Sequence, residues 1–464
     1  MPAIERVAII GLDCAEPSLA LERWLDDLPN LRQLCQSGTY GHLESCMPPI
    51  TVPAWSCMAA SKDPGTLGIY GFRNRADYSY DRLSIATSLT VREPRLWDIL
   101  TNKGKSSIVL GVPGTFPIAK PVRGCMVSCF LAPDINSEYA YPKELKQEIA
   151  QVVGEYMIDV KGFRTDNKQW LLDQIYEMTE KRFKLARHLL TTRQWDLFWM
   201  VEMGTDRIHH GFWQYMDPAH HRYQPGNPFE NAIHDYYVRL DALIGELLEV
   251  IDREKTAIWV VSDHGGKCMQ GGFCFNDWLI REGYLVMKEP ATSPRKFQFA
   301  DVDWSRTRVW GEGGYYGRCF LNVQGREPQG IVPPGEVENL RNELIAKLEA
   351  LPDDKGRPMG TRAYKPQDIY RKVNGVPPDL VVIFGDLSWR SVGTIGNSSL
   401  YVFENDTGPD DANHAQQGMY ILSHPSLPAR GRQDDASLYD VAPTTLRMLG
   451  FDVPADMRGR SLLG

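Results

Sequence analysis

Runs of β-branched and aromatic residues recur along the chain at 6–12, 106–111, 125–130, 195–203, 257–261, 379–384 and 418–422. Each is mostly apolar, too short for a helix, and closed by glycine or polar residues. That pattern predicts strands buried on both faces. Segments of helical periodicity separate them: 19–35, 54–60, 144–190 with a break near Gly162, a helix opening at 204, then 236–251 and 439–449. Alternation of this kind predicts an α/β core. From residue 267 to 365 the alternation gives way to glycine-rich, aromatic and mixed stretches around one helix at 336–350. That region reads as a cap inserted into a core made of residues 1–266 and 366–464.

The polar residues that close these runs carry the candidate chemistry, because ligands in open α/β sheets bind at the carboxyl ends of strands. The run 257–261 ends in Ser262-Asp263-His264-Gly265-Gly266, and the run 6–12 ends in Asp13. Asp13 also reads as a helix N-cap ahead of Glu16-Pro17-Ser18. After 195–203 comes Gly204-Thr205-Asp206-Arg207-Ile208-His209-His210. Asp206 and His210 are four apart and share one face of a helix starting there, while His209 points sideways. Taken singly, that pair is equally an ordinary helix surface. His414 lies in a polar stretch, Asn413-His414-Ala415-Gln416-Gln417, expected as a loop. Thr51, within Pro48-Pro49-Ile50-Thr51-Val52-Pro53-Ala54-Trp55, is placed just before a helix N-terminus, where free N–H groups favour an anion. It is either a capping threonine or a nucleophilic hydroxyl. The turn-rich stretch 63–80 carries Arg73, Asn74 and Arg75, and 311–317 reads as a glycine-rich turn able to approach a ligand closely. His220, His221 and His234 have no partner at useful spacing.

Composition narrows the field. The chain has 464 residues, 43% hydrophobic and 24% charged, with a net charge of −8 and no basic runs. Bulk attraction to nucleic acid or membranes is therefore not expected. An anionic substrate would need local cations, from side chains or metals. The nine cysteines form no Cys-x-x-Cys pair, which predicts reduced thiols in a cytoplasmic protein. The first apolar run is too short for a signal peptide, and no segment approaches a membrane span.

Together, Asp13, Asp206 and Asp263 with His210, His264 and His414 supply three carboxylates and three imidazoles, the ligand stock for two divalent metals. An ionised Thr51 would balance the remaining charge. The motifs Gly11-Leu12-Asp13, Thr51-Val52-Pro53-Ala54-Trp55, Thr205 to His210, Ser262 to Gly265, and His414 ahead of Gly418 run in one order across nearly the whole chain. In this the sequence resembles the alkaline phosphatase superfamily, within it the type I phosphodiesterase/nucleotide pyrophosphatase branch. The resemblance implies a three-layer α/β/α core with a largely parallel central sheet. It implies one metal on Asp206, His210 and His414, another on Asp13, Asp263 and His264, and Thr51 as a nucleophile touching both. Zinc is the usual metal of relatives, with manganese the alternative. The expected substrate is a small phosphate ester or nucleotide-like compound, and the expected activity phosphodiester or pyrophosphate hydrolysis. A phosphomonoesterase, a phosphomutase-like enzyme and a non-catalytic protein of the same fold are the rivals. The branch commonly carries His-Gly-Ile and a phosphate-contacting Asn after the nucleophile helix. Here the stretch reads Gly68-Ile69-Tyr70-Gly71-Phe72-Arg73-Asn74, without the His and with Asn74 displaced. Sulfatases are disfavoured because Thr51 stands where they carry Cys or Ser.

Overall fold

The computed structural model describes residues 4–463. Its centre is a ten-stranded sheet, and the all-apolar runs form the middle of it, as strands buried on both faces must. Thr256–Val261, Arg6–Leu12, Leu197–Glu202, Ser107–Leu110 and Gly124–Val127 lie side by side in that order, all parallel. Gln417–Ser423 adds antiparallel to Thr256–Val261 and passes the sheet on to Gly38–Glu44, while Ala140–Tyr141 closes the far side. The helices Lys168–Thr192, Gly204–Met216, Ala232–Glu249 and Pro29–Gln36 pack on one another, and Thr51–Ala60 packs against Val441–Met448. The result is an α/β architecture with a mostly parallel sheet flanked by helices, as expected.

Two helical readings are corrected. The 19–35 stretch is broken into a π-turn at Ser18–Arg23, a 3-10 turn at Leu25–Asp27 and a helix at Pro29–Gln36. Pro29 forces Leu28 out of the helical region, so one continuous helix is impossible there. The helix expected from residue 54 begins at Thr51. Pro53 sits in its first turn, where its missing N–H has no partner to lose.

A second hydrophobic core gathers residues from 273 to 389. It is built on an antiparallel sheet of four strands in the order Val309–Glu312, Gly317–Leu321, Leu380–Ile383 and Arg362–Tyr364. The run 379–384, expected as a returning strand of the main sheet, is thus a central strand of this one. Leu380-Val381-Val382-Ile383 is buried throughout, and such a run fits any two-sided core. A long-range staple ties the 73–75 segment to this unit. The Arg75 guanidinium lies 5.1 Å from the rings of both Trp310 and Phe320 and 3.2 Å from Glu327. Among the described residues, no helix is long and apolar enough to cross a membrane.

Candidate active site

Asp13, at the end of the Arg6–Leu12 strand, and Asp263-His264, at the end of the neighbouring Thr256–Val261 strand, come together because the two strands are adjacent and parallel. Gly11 lets the Trp55 ring pack against the strand end: a Cβ there would stand 2.6 Å from the Trp55 ring and 2.8 Å from the Met200 carbonyl. Trp55 reaches up from the Thr51–Ala60 helix and donates its indole N–H to Asp13 Oδ2 at 2.6 Å. The Cys14 amide donates to Asp263 Oδ1 at 3.2 Å. Each carboxylate is thereby fixed through one oxygen, and Asp13 Oδ1 and Asp263 Oδ2 are buried with no hydrogen-bond partner. His264 Nε2 lies 3.2 Å from Asp263 Oδ2 and 3.9 Å from Asp13 Oδ1. Its Nδ1 faces the Gly265 carbonyl at 3.1 Å, which assigns the proton to Nδ1 and leaves the Nε2 lone pair free.

The second cluster stands on the Gly204–Met216 helix, which begins at the end of the Leu197–Glu202 strand. One helical turn places His210 Nε2 3.2 Å from Asp206 Oδ1. The other Asp206 oxygen accepts from Arg207. His414 is not in a loop. It belongs to the strand Ala412–Ala415, which pairs antiparallel with Gly265–Cys268 so that His414 faces Gly266. The pattern there, polar and lacking alternation, gave no strand signal, because the pairing is a short two-stranded ladder next to the site. A side chain at Gly266 would strike His209 Nδ1 at 2.8 Å, so glycine is needed for that close approach. The pairing sets His414 Nε2 3.9 Å from Asp206 Oδ1 and stacks its ring on His264 with centroids 3.8 Å apart. The two clusters therefore share a wall.

Thr51 is buried at the first position of its helix, with Oγ1 3.3 Å from His264 Nε2. The seven residues singled out from the sequence, Asp13, Thr51, Asp206, His210, Asp263, His264 and His414, are thus brought to one place. Asn74 is not among them. Its amide is used within its own turn, accepting from Tyr70 N–H at 2.7 Å and donating to the Gly71 carbonyl at 3.0 Å. His209 turns away, as expected, to lie 3.2 Å from the Tyr237 hydroxyl.

Electrostatics argue for a cation beside Asp13 and Asp263, and hold Asp206 ionised as a ligand. Burial and the neighbouring carboxylates push Asp13 and Asp263 well above the ordinary carboxylate range. Burial also opposes charge on Asp206, but His210 and Arg207 outweigh it and hold Asp206 well below that range. Burial, then the proximity of His210, lowers His414 to about 4, so it is a neutral donor. Ligand atoms of Asp13, Asp263 and His264 lie within 4.8 Å of one another, as do those of Asp206, His210 and His414. His210 Nε2, like the two free carboxylate oxygens, is buried without a hydrogen-bond partner. Mixed carboxylate and imidazole donors with unsatisfied buried lone pairs fit two divalent metals.

Sequence reasoning missed the residues behind these. His210 Nδ1 is 2.6 Å from Asp410 Oδ1, and Asp410 is in turn paired with Arg164 at 3.0 Å. His414 Nδ1 donates to the Pro49 carbonyl at 2.7 Å. Tyr315 packs over both imidazoles, 5.3 Å from His210 and 4.4 Å from His414. Of these, Asp410 had a local signal as an acid four residues before His414, and Tyr315 lies in the glycine-rich 311–317 turn.

The profile of the type I phosphodiesterase/nucleotide pyrophosphatase family matches residues 7–410. The chain belongs to that family. It is a metal-dependent phosphohydrolase of the phosphodiesterase/pyrophosphatase type, with two candidate metal sites and Thr51 beside one of their histidines. The match stops short of His414, whose place rests on geometry. Solved structures share the fold. Human ectonucleotide pyrophosphatase/phosphodiesterase 5 is 12% identical with a TM-score of 0.57, covering 98% of this chain and 97% of its own. Phosphonoacetate hydrolase from Sinorhizobium meliloti, in complex with phosphonoformate, is 14% identical with a TM-score of 0.61, covering 97% and 96%. No curated protein matches the sequence.

Proposed function

We propose that this enzyme hydrolyses small phosphate diesters or pyrophosphate-linked, nucleotide-like compounds, with Thr51 as nucleophile. The observation that carries the proposal is the buried Thr51 hydroxyl, set between two carboxylate–imidazole clusters at the N-terminus of a wholly buried helix. Asp13, Asp263 and His264 would hold one divalent metal and Asp206, His210 and His414 the other. When bound, the metals supply Lewis-acid stabilisation of phosphoryl charge and make the threonine hydroxyl acidic enough to ionise. Thr51 Oγ1 attacks phosphorus in line, and the bond from phosphorus to the leaving oxygen breaks as the new P–O bond forms. Water then cleaves the phosphothreonine, returning the hydroxyl and releasing phosphate or its monoester. At the open end of the Thr51–Ala60 helix the N–H groups of Thr51 and Val52 would be offered to the anion, Pro53 having none and Ala54 donating to the Ile50 carbonyl. Gly265, by holding the Nδ1 proton of His264, keeps Nε2 unprotonated toward Thr51.

The mixed Asp/His donor set favours zinc, with manganese as the alternative. Nine free thiols support a cytoplasmic location. The second hydrophobic core supports a substrate-selecting cap inserted between Gly266 and His414, larger than the 267–365 of the sequence reading because Leu380–Ile383 belongs to it. Asn74 acts by holding the turn that carries Arg73. The test is turnover of p-nitrophenyl phosphate and bis(p-nitrophenyl) phosphate by metal-loaded protein, before and after chelation. Faster hydrolysis of the diester, abolished by chelator, is expected. Faster hydrolysis of the monoester would select the phosphomonoesterase, and no turnover of either the non-catalytic reading.

A further inference from the structure

Beside Thr51 lies a cavity of about 320 Å³ whose wall includes Ile50, the residue before the nucleophile, and Tyr315, which packs on His210 and His414. It therefore opens next to the reacting phosphate. Four arginines line it, Arg73, Arg164, Arg318 and Arg390, and no aspartate or glutamate does. In a chain with 59 acidic and 51 basic residues, that is a pronounced local reversal of sign.

Three of the four guanidiniums are held from behind. Arg164 pairs with Asp410 at 3.0 Å, Arg318 with Glu312 at 2.8 Å, and Arg390 with Asp406 at 3.1 Å. Arg318 also donates to the Arg73 carbonyl, tying two of the four segments together. The carboxylates orient these arginines while standing outside the lining, so the fork of each guanidinium is pre-set. Arg390 is 6% exposed and its Nε has no hydrogen-bond partner. Arg73 is exposed and makes no ion pair among the described residues, so the cavity keeps one uncompensated positive charge. Guanidiniums gathered in this way, with no acid in the cavity wall between them, are suited to a phosphate, which accepts paired N–H donors.

We propose that this cavity is a second anion subsite, and that the natural substrate carries a further phosphate on the group attached to the reacting one. This rests on the reading of Thr51 and its two clusters as the phosphoryl-transfer site. The reacting phosphate sits at Thr51, and the distal phosphate lies among Arg73, Arg164, Arg318 and Arg390. The bare diester bis(p-nitrophenyl) phosphate fills only the first position.

The experiment is calorimetric binding of propyl phosphate, of alkane-α,ω-diyl bisphosphates with two to four carbons, and of a phosphate with a terminal carboxylate. It uses metal-loaded wild-type protein and the Arg73→Ala and Arg73→Lys variants. Because Arg73 is exposed, its replacement leaves the core packed, which circular dichroism checks. At least one bisphosphate should bind at least tenfold tighter than propyl phosphate, with the carboxylate between them. Arg73→Ala should erase most of that advantage and Arg73→Lys restore part of it. Equal affinity for mono- and bisphosphates, or an advantage untouched by Arg73→Ala, overturns the subsite, and a carboxylate that binds tightest reassigns it. Binding is read without turnover, so loss of the hydrolase reading appears separately, as absence of chelator-sensitive hydrolysis of bis(p-nitrophenyl) phosphate.

Discussion

The floor of the site and the cavity beside it are assembled in opposite ways. The floor takes its acids and imidazoles from the ends of neighbouring parallel strands and from the helix and short ladder that follow them, so backbone register alone brings most of them together. The cavity takes its arginines from four segments far apart in sequence, three of them oriented by ion pairs. The first design places charge where the sheet dictates. The second depends on how a separate unit docks over it. On the proposed reading, chemistry is fixed by the fold, and selectivity by the segments that gather beside it.

The largest effect is expected on the floor. His414→Ala removes one donor and the wall shared with His264. It should lower metal content from two to one per chain, read by elemental analysis, and turnover by on the order of 10³-fold. Arg75→Ala attacks the join between the two regions by removing the guanidinium between the Trp310 and Phe320 rings and one of the two arginines on Glu327, which keeps Arg326, and should destabilise by about 2 to 3 kcal/mol in chemical denaturation. Full stability in that variant would show that the 73–75 segment does not depend on the cap. Asp410→Asn keeps the shape behind His210 but removes the charge, and should reduce metal affinity or kcat by about tenfold.

The smallest effect on stability is expected at Glu16. Burial pushes Glu16 up from 4.5 to about 6, and the Ser18 contacts only partly offset it. A carboxyl raised on folding binds its proton more tightly in the native state, so its ionisation destabilises above pH 6 and has no effect below about 4.5. That difference corresponds to about 2 kcal/mol. Glu16→Gln should therefore gain stability relative to wild type at pH 7 to 8, with the gain vanishing at pH 4. An equal gain at both pH values would contradict the assignment.

What was legible in the sequence follows the same division. The strands of the parallel sheet were readable because double-sided burial demands near-continuous apolar runs, and Asp13, Asp206 and Asp263 stood out as acids ending them. His414 was readable as a ligand only in company with the other acids and imidazoles, and its strand was not readable at all, being a four-residue ladder without alternation. Leu380–Ile383 was placed in the wrong sheet because an all-apolar run says that it is buried but not against what. Arg164 and Arg390 had no signal at all: a lone arginine near a turn looks the same whether it faces water or substrate. Asn74 carried a family expectation of phosphate contact, and its amide is bonded within its own turn.

The central claim is that Thr51 is the nucleophile between two metals. Wild type and Thr51→Ala, loaded identically with zinc, should be compared for hydrolysis of bis(p-nitrophenyl) phosphate with metal content determined on the same samples. The account predicts two metals per chain in both proteins and turnover only in wild type. Near-native turnover in Thr51→Ala with both metals in place would contradict it.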